Sequence, residues 1–236
     1  MSFKMKVGLG LVALVALAGI VLRAAGPQVG LALFARAASK AVGRDVTSTF
    51  ADGLHVALCG SGSPMPDPTR AGPCVAVVAG DRLFVVDAGA GSPRNLLQMG
   101  LPPGKVDAVF LTHFHSDHID GLGELMLQRW VGSANTSPVP VYGPEGVERV
   151  VDGFNKAYEL DSAYRVAHHG EQVAPPRGAG GEARKFELPE TGDKMVVFAD
   201  GDLSIAAFRV DHDPVKPAVG YRFDYKGRSA VVSGDT

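Results

Sequence analysis

Basic charge is scarce where this sequence would need it to hold a polyanion. Of 236 residues, 23 are Lys or Arg and 25 are Asp or Glu, a formal net charge of −2. Residues 1–50 hold six of the cations (Lys4, Lys6, Arg23, Arg36, Lys40 and Arg44) against Asp45 alone, which is +5 and leaves −7 on residues 51–236. An acidic globular part argues against a general nucleic-acid binder, whose electrostatic footprint is a basic face. Bound dications would reverse that sign locally, so a nucleic-acid substrate is disfavoured without being excluded. Cysteine is also sparse. Cys59 and Cys74 are the only two, which limits the chain to one internal bridge. The length suits one substantial domain with one core plus a leader, and the greasy N-terminus inflates the 46% apolar content.

The uncharged run Val7–Leu22 follows Lys4 and Lys6, the arrangement of a signal peptide or signal anchor, though slightly short for a span. Arg23 follows at once, and the small-x-small site Ala35-Arg36-Ala37 lies well downstream, so an uncleaved anchor over residues 1–25 is the preferred reading. Cations flank the run on both sides. The domain is expected outside the cytoplasm, in the periplasm, with the cytoplasmic face as the alternative. Residues 26–52 read as a juxtamembrane helix and linker, in which Arg36, Lys40 and Arg44 fall four apart between Gln28 and Arg44. That helix either rests on anionic headgroups or is a plain solvated linker. Asp45–Asp52 is the boundary before a domain over 53–236.

Within that domain, Leu54–Cys59 alternates like a strand, Gly60-Ser61-Gly62-Ser63-Pro64-Met65-Pro66 turns it, and Cys74–Ala79 returns it as a hairpin with a long polar loop. Cys59 and Cys74 end and begin these strands, so they either bridge or remain buried thiols. Leu83–Val86 is a buried-strand run ending in Asp87-Ala88-Gly89-Ala90-Gly91. Pro93–Met99 reads as a helix stopped at Gly100, and Val106–Leu111 as a strand. Leu122, Leu125, Met126 and Trp130 recur at helical spacing, with Asp120 or Ser116 able to cap that helix and Trp130 in the core. Val139–Pro144 reads as a short strand before a helix from Glu145 to Tyr158. The pair His168-His169 reads as surface or a substrate contact, and the PPRGAGG run after it as irregular. His55, in a strand, reads as structural. Strands are also expected at Leu203–Val210 and Ala218–Phe223.

Directly after the Val106–Leu111 strand comes Thr112-His113-Phe114-His115-Ser116-Asp117-His118-Ile119-Asp120-Gly121, with three histidines and a carboxylate in six positions. In an extended segment His113 and His115 leave the same side, and Asp117 and His118 follow where the chain must turn. Nitrogen and oxygen donors set this way suit Zn²⁺. Crowded like cations would repel unless a metal or neutrality relieves them, which weighs against a loop with incidental histidines.

HFHSDH fits H-x-H-x-D-H, and from about Leu54 onward the chain resembles metallo-β-lactamase-fold metallohydrolases. It is most similar to the branch containing ribonuclease Z and the arylsulfatase-like and phosphodiesterase-like enzymes. The GSGSP-x-P loop, the DAGAG turn, His212 in Val210–Val215 and the final Ser233-Gly234-Asp235-Thr236 resemble further motifs of that family. The resemblance implies an α/β fold, an αββα sandwich, and two zinc ions per complete site. His113, His115 and His212 would hold one ion, Asp117 and His118 the other, with Asp235 bridging and Asp87 supporting the metal loop. It also implies that Asp117 orients the nucleophilic water and relays its proton.

The leading expectation is a membrane-anchored dinuclear zinc hydrolase of phosphodiester or related ester bonds. The alternatives are a ribonuclease Z-type tRNA 3′-end endonuclease, which calls for a cytoplasmic domain and a basic docking surface, and a noncatalytic zinc-binding module with a closed ligand shell. No long Gly/Lys-rich arm of the kind that holds tRNA is present, and substrate-binding residues are not legible. In the families it resembles, a further strand, a helix and a final histidine ligand follow the last motif, whereas this sequence stops at Thr236. The expectation is therefore a C-terminally truncated chain with an apolar edge beside Ala230–Ser233, a tighter first than second zinc, and poor hydrolysis.

Overall fold

The computed structural model describes residues 44–65, 67–190 and 194–236, together with the isolated Arg23. The expected anchor over Val7–Leu22 and the amphipathic helix over Gln28–Gly43 lie outside the described residues. Among the described residues, no helix is long and apolar enough to cross a membrane. Asp45–Thr236 forms one compact unit. Its first residues pack onto it, with the Val46 N–H donating to the Gly100 carbonyl at 2.9 Å and Lys105 paired with Asp45.

Two sheets carry the domain. The first has six strands in the order β1 (Leu54–Gly60), β2 (Cys74–Ala79), β3 (Arg82–Val86), β4 (Val106–Phe110), β5 (Val139–Gly143) and β6 (Gly181–Lys185). β1, β2 and β3 pair antiparallel, β1 to β2 across the long polar loop and β2 to β3 through the tight Gly80-Asp81 turn, and from β3 onward the pairing is parallel. Parallel neighbours need crossovers, which helices supply. These are α1 (Ser92–Met99) after β3, α2 (Ser116–Ile119) and α3 (Leu122–Gly132) after β4, and α4 (Val147–Ala157) and α5 (Glu159–His169) after β5. The second sheet is antiparallel throughout, in the order β10 (Arg228–Val232), β9 (Val219–Tyr225), β8 (Leu203–Arg209), β7 (Met195–Asp200).

The middle of the first sheet is buried on both faces, which is why β2, β3 and β4 read as nearly unbroken apolar runs. Period-two alternation divides them between two cores. Val78, Leu83, Val85 and Val109 face the helices and meet Leu96, Leu122, Leu125, Met126 and Val151. Val77, Phe84, Val86 and Phe110 face the second sheet and meet Ile205, Ala207, Tyr221 and Phe223. Phe110 lies edge-on to Tyr221 at 5.2 Å between ring centroids. Burying each such side chain contributes about 1.5–3 kcal/mol. The described residues thus build three of the four layers of an αββα sandwich, helices on sheet on sheet.

Several local expectations differ from the structure. α3 begins after Gly121 with no side-chain cap, so neither Asp120 nor Ser116 caps it. The Gly121 N–H donates instead to the Ala88 carbonyl at 2.8 Å, so a tertiary contact replaces the local one. The helix expected to run to Tyr158 ends at Ala157, and a second, α5, follows with His168 and His169 in its last turn. Strands β6 and β7 were not foreseen. Each is an edge strand: β6 is largely polar and shows no apolar run, while β7 carries one, Met195–Ala199, that lies half exposed at the sheet edge. Cys59 and Cys74 form a disulfide with α-carbons 5.0 Å apart. Trp130 is buried, and its indole N–H donates to the Pro175 carbonyl at 2.7 Å.

Candidate metal centre

β4 delivers the chain between the two sheets, and the second sheet then fixes the segment that leaves it. The buried Tyr221 hydroxyl donates to the Leu111 carbonyl at 2.7 Å, and the Val219 N–H donates to the Thr112 carbonyl at 3.0 Å. Residues 113–115 have no regular structure, and α2 then presents Asp117 and His118. His212 arrives from the loop after β8 and Asp235 from the segment after β10. The ends of β4, β8 and β10 therefore aim three separate stretches at one place.

Two groups of donor atoms result. His113, His115 and His212 offer ring nitrogens all within 4.8 Å of one another, and so do His113, His118 and Asp235 with a carboxylate oxygen. His113 Nε2 lies 3.0 Å from His115 Nδ1, which lies 3.5 Å from His212 Nε2. His118 Nε2 is 3.4 Å from Asp235 Oδ1 and 3.8 Å from Asp117 Oδ2. All six residues named from the motifs thus converge. The second group differs in detail from the expected one, because Asp235 stands nearer His118 than Asp117 does and His113 belongs to both groups.

The residues fit metal ions on an observation independent of any relative. His118 Nε2 is buried and has no hydrogen-bond partner among the described residues. Its Nδ1 is 2.8 Å from Asp87 Oδ2, so in the neutral ring the proton sits on Nδ1 and the Nε2 lone pair faces Asp235 and Asp117. An orphaned buried acceptor beside two carboxylates is costly unless a cation joins them. Burial, then the charge of His118, holds His113 down to about 4, so at neutral pH its imidazole is neutral, as a ligand must be. Burial pushes His118 down too, but the hydrogen bond and charge of Asp87, with Asp235 and Asp117, outweigh it and the net direction is up.

Asp87 anchors this arrangement from the end of β3. Its carboxylate accepts from the Thr112 N–H at 2.8 Å and the Thr112 hydroxyl at 2.8 Å as well as from His118. Burial pushes its carboxyl up, against these bonds. The residue sits at φ 58°, an uncommon conformation that Asp tolerates better than most, and its own N–H donates to the Phe110 carbonyl at 2.9 Å. The loop after it backs directly onto α2. A Cβ at Gly89 would come within 2.2 Å of the Asp117 carbonyl oxygen.

The other histidines lie elsewhere. His55 Nε2 is 2.8 Å from the Ala51 carbonyl and its ring stacks on Phe50, while His168 and His169 are exposed at the end of α5. Sequence reasoning gave Thr112 no role and read Tyr221 only as part of a strand. The one local signal for Thr112 is a hydroxyl directly before the first histidine.

The fold and this centre place the chain in a known class. It belongs to the metallo-beta-lactamase superfamily, whose sequence profile matches residues 67–236. Within it the chain is related to ribonuclease Z. It is 39% identical over 185 residues to ribonuclease Z of Mycolicibacterium gilvum, covering 78% of this chain and 62% of that protein. Against ribonuclease Z of Mycobacterium marinum the identity is 40%, covering 78% and 63%. The chain thus spans less than two thirds of the length of these curated relatives. Human tRNase Z, short form, superposes with a TM-score of 0.58 at 26% identity, covering 76% of this chain and 68% of that one. The metallo-beta-lactamase fold protein YhfI of Bacillus subtilis gives 0.56 at 22%, covering 78% and 64%, a likeness of fold alone.

Proposed function

We propose that this chain carries the metal centre of a zinc-dependent phosphodiesterase of the ribonuclease Z type, cutting an RNA phosphodiester at a tRNA 3′ end. The observation that carries the reading is the pair of adjoining donor groups sharing His113, with His118 Nε2 orphaned between carboxylates, in a chain about 40% identical to ribonuclease Z. His113, His115 and His212 would hold one ion, and His118, Asp117 and Asp235 the second. A pair of bound zinc ions would polarise a phosphoryl oxygen and bring the pKa of water toward about 7. Asp117, buried on α2 with Oδ2 3.8 Å from His118 Nε2, is the group placed to orient the attacking water and take its proton. Asp87 holds His118 in the tautomer that leaves Nε2 free.

A second reading, a hydrolase of smaller phosphodiesters or related esters held outside the cytoplasm by the leader, is favoured by the −7 carried on residues 51–236. The test is turnover of the zinc-loaded full chain on a precursor tRNA, bis(p-nitrophenyl) phosphate, a sulfate ester, a lactone and a β-lactam. Cleavage of the precursor tRNA, abolished by chelation and restored by zinc, is the expected result. Turnover of the small phosphodiester alone would move the assignment to the second reading. Zinc binding without any hydrolysis would leave a zinc-binding module.

A further inference from the structure

We infer that Thr112 is a positioning residue whose hydroxyl sets the tautomer of His113, so that one buried carboxylate, Asp87, governs a histidine in each donor group. A threonine hydroxyl has one proton to give and two lone pairs to receive with. Thr112 Oγ1 lies 2.8 Å from Asp87 Oδ2 and 3.1 Å from His113 Nδ1. Asp87 is held as an acceptor on both oxygens, by the Thr112 N–H on Oδ1 and by His118 Nδ1 on Oδ2, each at 2.8 Å, so the hydroxyl proton belongs to Asp87. Thr112 Oγ1 then faces His113 Nδ1 with a lone pair, and Nδ1 must carry the proton. His113 Nε2 is thereby left bare toward His115 Nδ1, 3.0 Å away, on the side from which His212 also approaches.

The reverse arrangement, with Thr112 donating to His113, would set two buried acceptors 2.8 Å apart with no proton between them. The hydroxyl is also held in place. Thr112 is buried, its N–H is tied to Asp87 Oδ1 at 2.8 Å, and its carbonyl accepts from Val219 at 3.0 Å. On its far side is Gly234, at φ +65°, where an added Cβ would come within 2.8 Å of Thr112 Cβ. The neighbour of Asp235 therefore packs against the residue that orients His113. Asp87 Oδ2 meanwhile fixes His118 directly at 2.8 Å. One oxygen atom thus dictates where the protons sit on two ligands from the two groups.

This inference rests on the metal-binding reading for its purpose, while its first readout, the tautomer of His113, is independent of that reading. Long-range ¹H–¹⁵N correlation of the metal-free full chain at neutral pH, with labelled histidine, reports which nitrogen of His113 is protonated. The expected result is the Nδ1–H form in the wild type and in Thr112→Ser, with Nε2–H or a mixture in Thr112→Val, and His118 Nδ1–H in all three. Zinc affinity, measured by competition with a chelating dye, should fall about 10–100-fold in Thr112→Val and be restored by Thr112→Ser. An Nε2–H form of His113 in the wild type overturns the inference whether or not either variant folds. So does an unaltered tautomer and affinity in a folded Thr112→Val. A wild type that binds no zinc yet shows Nδ1–H at His113 would sink the functional reading and leave the tautomer assignment standing.

Discussion

Replacing Cys59 and Cys74 together with alanine opens the neck of the loop that runs beside the metal centre. The bridge joins residues 15 apart, and the chain-entropy model of loop closure assigns such a crosslink about 3 kcal/mol at 25 °C. Total stabilities of about 5–15 kcal/mol make that a fifth or more of the whole. For a domain of this size about 1 kcal/mol moves the unfolding midpoint by roughly 2–4 °C, so a fall of roughly 6–12 °C is expected. The effect should be local as well. The loop is held by the Gly72 N–H to the Ala90 carbonyl and the Gly89 N–H to the Pro73 carbonyl, both at 2.9 Å, close to α2. With its neck open, cleavage by trypsin at Arg70, whose side chain is 62% exposed, should precede global unfolding. Thermal unfolding by circular dichroism and timed proteolysis of both proteins measure these effects. An unchanged midpoint, or two free thiols on labelling of the unreduced, denatured chain, refutes the reasoning. Free thiols would also weaken the expectation of a domain outside the cytoplasm.

Other outcomes are as specific. His113→Ala and His115→Ala should each lose zinc and turnover together while the circular dichroism spectrum stays folded. Near wild-type zinc content in both, by elemental analysis, would reject the site. Asp117→Asn should keep part of the metal and lose most turnover, because an amide is a poor ligand and takes no proton. Equal turnover would remove Asp117 from the chemistry. Tyr221→Phe should destabilise the domain by about 1–3 kcal/mol in urea unfolding, since it takes a buried hydrogen bond from the Leu111 carbonyl. The half-exposed Asp224 is pulled from 3.8 down to about 2, chiefly by its hydrogen bonds to Arg222 and then to Ser229. A depressed carboxylate contributes stability that is complete above 3.8 and lost as pH falls toward 2. Asp224→Asn should therefore flatten the fall of the unfolding midpoint across that window, and identical profiles would contradict the shift.

The donor cluster of the candidate centre was legible in the sequence because its densest part is local. His113, His115, Asp117 and His118 fall within six positions after an apolar strand, so periodicity places them on one exit from a sheet without knowledge of the rest of the fold. The buried strands were legible for the same reason, since a strand packed on both faces cannot afford polar residues and shows as an unbroken run. β6 was not, because its side chains are mostly polar and it owes its conformation to one neighbour, whereas β7 does carry an apolar run, Met195–Ala199, whose pairing with β8 only the tertiary structure supplies. Whether Cys59 and Cys74 bridge depended on the antiparallel β1–β2 pairing bringing their α-carbons to 5.0 Å.

Tertiary structure alone decided how the donors divide. His212 reaches His115 across 97 residues, and Tyr221 braces Leu111 across 110, contacts that only the packing of the second sheet on the first creates. The same packing draws Asp235 to 3.4 Å from His118, nearer than the adjacent Asp117, and sets the Thr112 hydroxyl between Asp87 and His113. Sequence spacing records which donors are available. Which lone pairs face one another is fixed by the register of strands far apart in the chain, and no local pattern encodes that.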